Sequence, residues 1–447
     1  MRVPALFVAA VLLLTGPAAA HDTDPGISPS FALFPQHEEV QQRLAAAAAH
    51  PFVSLEEVGR SNDGRPLQLA IVADPNATYG PAGPVVVFLV TQQHGNEPAG
   101  TPAVLDILDR LAGGDLADVL EDVVVLILPQ ANPDGALLEQ RGNVKDVDLN
   151  RDHIGLTEPE TRALHKVLTT WDVHIAVDHH EYGGLGFGNP VPVRLYDYDL
   201  TTLFPRHGNV QAPTQQAAES LMYDGIWPVA EAAGYSSNEY GEQTVAGVPV
   251  QEVAGGPDPG ILRNNFGLYN VAGLLVETRV DQHPNPFHDA ERRTDIHRVV
   301  MEATLRHAAQ NADSYILAKR GSEQASVASP ATRYVEGETT GELPEAFVAR
   351  GDAGETMAEL LALHGLPAPA VRPDGALVHN LDHDRIGLAA ALLSEHSSRQ
   401  AVAASPGAAF VAPVVQEAEP EEEAPGPAAA LLGLALVALA FAVRRRS

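Results

Sequence analysis

Polar side chains that can bind a metal ion follow several short apolar runs in this sequence. His94 and Glu97 come just after one run, His179 and His180 end another, and Glu277 follows a third. Imidazole nitrogens and carboxylate oxygens are ligands that Zn²⁺ accepts, and a catalytic zinc site takes three protein ligands plus a water molecule. The residue types therefore indicate a metal centre of the kind that hydrolases use.

Buried strands are the elements that would bring these residues together. The apolar runs are rich in β-branched residues, which is typical of strands buried on both faces of a sheet. They span residues 85–90, 123–128, 174–177 and 274–276. Because functional sites of open α/β sheets lie outside the carboxyl ends of the strands, we expect the polar residues after each run to share one edge.

Helical patterns alternate with the strand patterns along the main part of the chain. The helices are predicted at residues 38–50, 98–111, 158–170, 214–234 and 354–364. This alternation predicts an α/β fold with a mixed, mostly parallel central sheet flanked by helices. Residues 183–213 and 238–265 are interpreted as long loops beside the site. A small C-terminal α/β segment is predicted at residues 331–412.

The charge balance excludes one class of partner. The chain has 447 residues and a formal net charge of −30, from 58 acidic and 28 basic side chains. Nucleic-acid binding needs basic patches, so we expect no nucleic-acid partner. The sequence contains no cysteine, which removes disulfides and thiolate ligands. A metal would therefore be bound by His, Asp and Glu.

Both ends of the chain carry segments that predict export and anchoring. Residues 1–20 combine Arg2, an apolar stretch and a run of alanines, which is typical of a cleaved signal peptide. Residues 413–427 form an acidic linker that contains proline, and residues 428–447 are an apolar stretch followed by an arginine cluster. This tail resembles the sorting signals of archaeosortase and exosortase substrates; a plain membrane anchor is the alternative. Either one would tether an exported protein to the cell surface.

A series of motifs is spread over roughly residues 55–280. They lie at residues 59–67, 94–97, 132–135 (Asn-Pro-Asp-Gly), 141–143, 148–151, 178–180 and 277. In these residues and in their order, the chain resembles the zinc carboxypeptidase family, the carboxypeptidase A-like metallopeptidases. The resemblance implies a carboxypeptidase A-like fold and Zn²⁺ as the cofactor.

The resemblance also implies a role for each residue around the metal. His94, Glu97 and His180 would bind Zn²⁺. His179 is the rival for the third position, and only one of the two can face the metal because neighbouring side chains of a strand point to opposite faces. Asp148 would accept a hydrogen bond from the far nitrogen of His94 and fix its tautomer.

Four further residues would act on the substrate, as the resemblance implies. Glu277 would be the general base, and Arg141 would stabilise the oxyanion of the tetrahedral intermediate. Asn150 and Arg151 would bind the free α-carboxylate of a peptide, for which the planar guanidinium is well suited. The family also has a mobile tyrosine, for which Tyr235, Tyr240 and Tyr269 are candidates.

We therefore expect a monomeric, surface-tethered zinc metallocarboxypeptidase that hydrolyses C-terminal residues of peptides. Its catalytic domain is predicted at residues 51–320, after an N-terminal lead at residues 21–50. One alternative is a zinc-dependent N-acyl amino acid deacylase of the aspartoacylase and succinylglutamate desuccinylase type, which the Asn-Pro-Asp-Gly segment disfavours. The other is a non-catalytic peptide-binding surface protein, which the presence of Glu277 and of all three ligands disfavours.

Overall fold

The computed structural model describes residues 28–183, 198–245, 248–251, 256–280, 282–328, 334–335, 338–339, 343–397 and 399–410. The predicted signal peptide, the acidic linker and the apolar C-terminal stretch lie outside the described residues. Among the helices in this part of the chain, none combines the length and the apolar character that crossing a membrane requires.

A mixed sheet of eight strands forms the centre of the molecule. The strands up to residue 280 are β1 (Val53–Arg60), β2 (Pro66–Val72), β3 (Val85–Thr91), β4 (Val123–Leu128), β5 (Ile175–Gly183), β6 (Leu200–Leu203), β7 (Ser237–Glu239), β8 (Glu242–Val245), β9 (Val248–Gln251) and β10 (Ala272–Val280). The central sheet has the order β1-β2-β4-β3-β5-β10-β6-β7, and β8 and β9 form a separate hairpin. Strands β4, β3, β5 and β10 run parallel. The predicted fold class is confirmed.

Helices cover both faces of this sheet. They are α1 (His37–Ala47), α2 (Gly100–Gly113), α3 (Pro133–Leu137), α4 (Pro159–Thr170), α5 (Ala212–Ser220), α6 (Trp227–Ala232), α7 (Leu262–Leu268), α8 (Pro286–Gln310), α9 (Ala312–Ala328), α10 (Asp352–Leu363) and α11 (Ile386–Leu393). A π-helical turn, Leu221–Ile226, joins α5 to α6, and Leu149–Arg151 is a 3-10 turn.

Strand β3 shows why its run is apolar throughout. Val87 and Leu89 pack in a core with α1, α2 and α8, whereas Phe88 and Val90 pack in the core on the opposite face with α4 and α7. Successive side chains of a strand point to opposite faces, so a strand covered on both sides has no exposed position for a polar residue. The continuous apolar run is the result, as predicted.

Two stretches that the sequence presents as loops contain regular structure, so the loop interpretation was wrong for parts of each. Residues 183–213 include β6, which pairs antiparallel with β10. Residues 238–265 include β8, β9 and the start of α7. Strand β6 is only four residues long and has two threonines at its centre. Its short length and polar centre removed the apolar signal that identified its neighbours.

The C-terminal segment is a small α/β unit, as expected. Its strands are β11 (Tyr334–Val335), β12 (Glu338–Thr339), β13 (Ala346–Ala349), β14 (Ala370–Val371), β15 (Leu377–Asn380) and β16 (Ser405–Gly407). The last four form an antiparallel sheet in the order β14-β15-β13-β16. Phe347, Leu361 and Leu388 pack into the same core as Phe88 of the central sheet. The segment therefore shares a core with the main domain.

Candidate active site

The turn after β3 aims His94 and Glu97 at one point. Gln92 has a φ of 54°, a left-handed conformation that reverses the chain directly after the strand. Its side chain fixes the turn, because Nε2 donates to the Gly95 carbonyl at 3.0 Å and Oε1 accepts from the Thr101 hydroxyl at 2.9 Å. The turn is thereby tied to α2, the helix that follows it.

Close backbone packing holds this turn against the Asn-Pro-Asp-Gly segment. A Cβ atom on Gly95 would overlap the carbonyl carbon of Gly135, and one on Gly135 would overlap the carbonyl oxygen of Gly142. Glycine is the residue that lets backbones approach this closely. Asn132 donates to the Gln93 carbonyl at 3.2 Å and to the Gly142 carbonyl at 3.1 Å. The motifs that follow β3 and β4 are therefore parts of one rigid edge.

His94, Glu97 and His180 converge so that they could hold a metal ion. Their candidate ligand atoms lie within 4.8 Å of one another. His180 Nδ1 lies 3.0 Å from His94 Nδ1 and 2.8 Å from Oε2 of Glu97, and His94 Nδ1 lies 2.9 Å from Oε1 of the same carboxylate. All three residues are buried. The strand ends thus bring together the three residues that the sequence singles out as ligands.

The outer nitrogens of both imidazoles face carboxylates. His94 Nε2 lies 3.2 Å from Asp148 Oδ1, and His180 Nε2 lies 2.7 Å from Asp178 Oδ2. An ionised carboxylate only accepts hydrogen bonds, so each Nε2 carries a hydrogen and, in the neutral imidazoles, each Nδ1 presents a lone pair. Two lone pairs 3.0 Å apart repel each other unless a proton or a metal ion lies between them. Two imidazoles and a carboxylate are a ligand set of catalytic zinc, so these residues fit Zn²⁺.

The charges of the cluster are coupled. Burial alone would lower the pKa of His180, but Asp178 and Glu97 outweigh burial and raise that pKa well above its ordinary value. Burial would raise the pKa of Glu97, but the charges and hydrogen bonds of His94 and His180 lower it. In the metal-free protein, His180 therefore holds a proton between the ligands. Metal binding would displace that proton, as is general for histidine ligands.

His179 points to the other face of β5. Its Nδ1 lies 3.1 Å from Nδ1 of His297 on α8, and His297 Nε2 lies 3.0 Å from the Thr278 hydroxyl. Burial lowers the pKa of both imidazoles, to about 3 for His297. Alternation along the strand thus brings His180 to the ligand cluster and places His179 behind the sheet.

Glu277 lies beside His180 on the neighbouring strand. The two residues are paired in the register of β10 and β5, so their side chains leave the same face of the sheet. Burial raises the pKa of Glu277 to about 8; the charge of His180 opposes the rise and that of Glu97 adds to it. Its Oε2 is buried and has no hydrogen-bond partner among the described residues. A carboxylate in this condition can receive a proton near neutral pH.

Arg141 and Asp148 form the exposed side of the cluster. Arg141 Nη1 lies 3.1 Å from His94 Nδ1, and Arg141 Nε donates to Asp148 Oδ2 at 3.0 Å. Burial would raise the pKa of Asp148, but the hydrogen bond and charge of His94, together with the charges of Arg141 and Arg151, lower it. Asp148 therefore stays ionised and orients His94.

The two residues expected to bind a terminal carboxylate lie at different depths. Asn150 is buried; its Oδ1 accepts from the Leu262 backbone N–H at 2.8 Å, and its Nδ2 lies 3.3 Å from His180 Nε2. Arg151 is exposed, and its Nη1 donates to the Asn150 carbonyl at 2.7 Å. Both residues belong to the 3-10 turn after Asp148, which places them at the edge of the ligand cluster.

Two residues that lie behind the ligand cluster, Asp178 and Gln93, were not predicted from the sequence to have a role. Gln93 Nε2 donates to Asp178 Oδ2 at 3.0 Å, the oxygen that also faces His180. Asp178 precedes His180 by two residues on β5, so both side chains lie on the same face. That spacing was the available signal for Asp178, whereas Gln93 carries no sequence signal of its own.

The three tyrosine candidates have different surroundings. The Tyr235 hydroxyl donates to a carboxylate of α8 at 2.6 Å. Tyr269 is buried, and its hydroxyl lies 2.7 Å from His364 Nδ1. The ring of Tyr240 lies 6.2 Å from that of Tyr182, two residues beyond His180 on β5. Of the three, Tyr240 is the one beside the strand that carries His180.

A buried His–Glu–His cluster with a neighbouring glutamate, at the carboxyl edge of a mixed α/β sheet, defines a candidate zinc centre. The family model for zinc carboxypeptidases matches residues 40–257, just under half of the chain. Carboxypeptidase 2 of Trichophyton tonsurans is 34% identical over 246 residues, which cover 53% of this chain and 44% of that protein. Carboxypeptidase 2 of Trichophyton rubrum is 32% identical over 300 residues, covering 64% and 53%.

The chain spans about half the length of the curated relatives it matches. Among solved structures, the carboxypeptidase A of Helicoverpa armigera aligns with a TM-score of 0.47 at 17% identity, covering 66% of this chain and 78% of that one. The family match and the curated relatives show that this chain is similar to zinc carboxypeptidases over residues 40–257 and over up to 64% of its length, respectively.

Proposed function

We propose that this protein is a zinc-dependent metallocarboxypeptidase that removes C-terminal residues from peptides. The observation that carries the proposal is the convergence of His94, Glu97 and His180 beside the buried Glu277, in a chain whose residues 40–257 match the zinc carboxypeptidase family. His94 and His180 would each bind the ion through Nδ1, because each Nε2 faces a carboxylate.

Zn²⁺, when bound, polarises a carbonyl group and lowers the pKa of a water molecule. The protein's own part in proton transfer falls to Glu277. Its carboxylate takes a proton from the attacking water and delivers it to the amine that leaves, so it begins and ends the reaction ionised. The buried Oε2, which has no hydrogen-bond partner among the described residues, supports this role. In the metal-free protein burial raises the pKa of Glu277 to about 8, and the positive charge of a bound Zn²⁺ would lower that pKa and favour the ionised form.

Arg141 and Arg151 supply the positive charge that the substrate needs. Arg141 is half-exposed, lies 3.1 Å from His94 Nδ1 and has N–H donors available for an oxyanion. Arg151 is exposed on the adjacent turn, where its planar guanidinium can meet a terminal carboxylate. The amide of Asn150, which is buried and lies near His180, would also contact this terminal carboxylate.

A paired-peptide digest tests the assignment. We expect a free-acid peptide to lose its C-terminal residue and the same peptide with a C-terminal amide to stay intact, both read by mass spectrometry. A chelator should abolish the cleavage. Equal cleavage of both peptides would refute the carboxypeptidase assignment and favour an endopeptidase. Release of acyl groups from N-acyl amino acids without peptide trimming would favour the deacylase alternative. Peptide binding that needs no zinc and leads to no cleavage would favour the non-catalytic peptide-binding alternative.

We also infer that the protein is exported and held at the cell surface by its C-terminal tail. The support is the sequence of residues 1–20 and 428–447. Intact-mass analysis of the mature protein and fractionation of cells test this inference. A chain that retains residues 1–20, or that stays in the soluble intracellular fraction, would contradict it.

A further inference from the structure

A continuous series of hydrogen-bond contacts runs from the ligand cluster to the C-terminal segment. It starts at Asp178, which accepts from Gln93 Nε2 at 3.0 Å. Gln93 Oε1 lies 2.5 Å from His153 Nε2, and His153 Nδ1 lies 3.2 Å from His165 Nε2. We refer to Gln93, His153, His165, Tyr269 and His364 as the histidine network.

The second half of the histidine network crosses into the C-terminal segment. His165 Nδ1 lies 3.0 Å from the Tyr269 hydroxyl, which in turn lies 2.7 Å from His364 Nδ1, at the end of α10. His364 Nε2 then lies 3.0 Å from the Ile154 carbonyl, back in the main domain. The side chains are buried, with the three histidines at 0% exposure. The proposed catalytic steps use none of these five residues.

The three imidazoles of the histidine network are neutral at pH 7. Burial lowers the pKa of His153 to about 3, that of His364 to about 4, and that of His165 well below its ordinary value. The main contributor is loss of hydration, which disfavours the charged form of a buried imidazole. Each imidazole therefore carries one N–H and one bare nitrogen.

Hydrogen counting gives the network a direction. Six contacts join Asp178 to the Ile154 carbonyl, and both ends only accept. Along this line the glutamine amide, the three imidazoles and the tyrosine supply one hydrogen each, so five hydrogens serve six contacts. Asp178 accepts from Gln93 Nε2, so every donor between Asp178 and the contact that lacks a hydrogen points toward the metal centre. The Tyr269 hydroxyl has a second possible acceptor, because it also lies 3.2 Å from the His364 carbonyl.

Other contacts hold His364 in place. Arg385 Nη1 donates to the His364 carbonyl at 2.8 Å, and its guanidinium carbon lies 5.4 Å from the centre of the Tyr269 ring. Asn270, next to Tyr269, donates to the Asp384 carbonyl at 3.1 Å. The contacts of Arg385 with Tyr269 and of Asn270 with Asp384 cross to the main domain and, together with the shared apolar core, dock the C-terminal segment beside α4 and α7. The far end of the network is therefore held against the main domain.

We propose that the histidine network positions Asp178, and through it His180, so that the C-terminal segment is a functional part of the metal-binding unit. The proposal rests on the proposed function, because it assumes a zinc ion at the ligand cluster. The five residues act as positioning residues, through Asp178. If a member of the network is lost, the side chains on its metal side lose a buried hydrogen-bond partner and can shift, so that Gln93 holds Asp178 less firmly against His180.

The test compares two losses of a buried tyrosine hydroxyl. Tyr269→Phe removes a donor of the network, whereas Tyr315→Phe removes a hydroxyl that is also buried but has no hydrogen-bond partner in the described part of the chain. Competition with a chromogenic chelator gives the Kd for Zn²⁺. We expect Tyr269→Phe to raise this Kd about 3–10-fold, below the roughly 10–100-fold typical of a direct outer-shell partner, and Tyr315→Phe to leave it unchanged.

A double-mutant cycle separates positioning from a general loss of stability. Gln93→Leu cuts the network next to Asp178, so Tyr269→Phe should have no further effect on the Kd for Zn²⁺ in that background. Independent structural effects would instead add. The visible spectrum of the Co²⁺-loaded protein gives a second readout, because a changed orientation of His180 shifts the bands whereas partial unfolding only weakens them. If Tyr269→Phe does not fold, His364→Gln takes its place in the same cycle.

The outcomes distinguish the two proposals. Wild-type protein that binds no Zn²⁺ would overturn the proposed function itself. Wild-type protein that binds Zn²⁺ normally, with Tyr269→Phe matching Tyr315→Phe in Kd and in Co²⁺ spectrum, would overturn the positioning role and leave the proposed function standing. Additive effects of Gln93→Leu and Tyr269→Phe on the Kd would also overturn it.

Discussion

The two histidines of the proposed zinc site have outer partners of the same type in opposite surroundings. His94 faces Asp148, whose side chain is 29% exposed and is bound by Arg141, itself 47% exposed. His180 faces Asp178, whose side chain is 0% exposed and which accepts a second hydrogen bond from the histidine network. Hydrogen bonds to charged groups are stronger where the local dielectric is low. The His180 side of the cluster is therefore fixed and the His94 side adjustable.

This difference matches the work that each side would do. Exposed ion pairs contribute little to stability, typically about 0–1 kcal/mol, and water screens them. Arg141 can therefore leave Asp148 and meet an oxyanion without a large energetic cost. A buried carboxylate that loses its partner incurs the full desolvation penalty, so displacing Asp178 from His180 and Gln93 costs more than displacing Asp148 from Arg141. In this arrangement the ligand His180 is held in place, while Arg141 beside His94 can respond to the substrate.

The largest expected effect comes from removing the ligand on the fixed side. His180→Ala should lose bound zinc, because a catalytic site needs three protein ligands. His179→Ala is the matched control: the residue is equally buried and adjacent, but its imidazole contacts His297 behind the sheet. Elemental analysis of both purified variants measures this. If His180→Ala retains a full equivalent of zinc, another residue is the third ligand. The comparison between the His180 side and the His94 side of the cluster would then no longer hold.

The next largest effect concerns Glu277, which shares the fixed side through its pairing with His180. Glu277→Gln should retain zinc and fold, yet lower kcat by roughly 10²–10⁴-fold, because an amide cannot accept the proton of the attacking water. Steady-state kinetics on a free-acid peptide, with zinc content measured on the same sample, checks this. Near-normal kcat in a zinc-replete variant would exclude Glu277 as the base.

A smaller effect measures the asymmetry directly. Asp178→Asn and Asp148→Asn make the same change on the two sides of the cluster, and outer-shell changes typically cost about 10–100-fold in metal affinity. We expect Asp178→Asn to lie near the top of that range and Asp148→Asn near the bottom, because water can replace part of the contact at the exposed site. Equal Kd values for Zn²⁺ in the two variants would contradict the asymmetry.

The sequence pointed to the residues that would touch the metal and the substrate, and not to those behind them. His94, Glu97, His180 and Glu277 follow strands that share one edge of the sheet, and the family resemblance implied the role of Asp148. The histidine network joins residues 93, 153, 165, 269 and 364. No spacing rule relates positions so far apart in the chain, and a lone buried histidine has no periodic signal.

The same contrast explains what was predicted of the fold. Strands β3 and β4 are apolar at every position because both faces are covered, and burial of that kind is visible in the residues themselves. Strand β6 has the sequence Leu-Thr-Thr-Leu and is buried by its neighbours. The docking of the C-terminal segment on α4 and α7 depends on shape and on contacts such as Asn270 with the Asp384 carbonyl, which composition does not encode.

The last expected effect is a pH dependence of the free energy of unfolding in the metal-free protein. The folded pKa of Glu277 is raised to about 8 from an ordinary value of 4.5. Between these values the folded state keeps a proton that the unfolded state has released, so the free energy of unfolding falls as pH rises. Glu277→Gln removes this contribution. The free energy of unfolding of the wild type, relative to that of Glu277→Gln, should therefore decline from about pH 5 to pH 8. Above pH 8 the decline should end as Glu277 becomes fully ionised in the folded state.

Asp148→Asn is the control from the adjustable side. The folded pKa of Asp148 is lowered, so its contribution to stability is complete above the ordinary Asp pKa of about 3.9 and is lost only as pH falls below it. Between pH 5 and pH 8 the stability difference between wild type and Asp148→Asn should be flat. Urea unfolding at unit pH steps in the presence of chelator measures both differences. If the difference in free energy of unfolding between wild type and Glu277→Gln does not change with pH, Glu277 is ionised throughout this range, as an exposed carboxylate would be. Glu277 would then not belong to the buried, fixed side of the cluster.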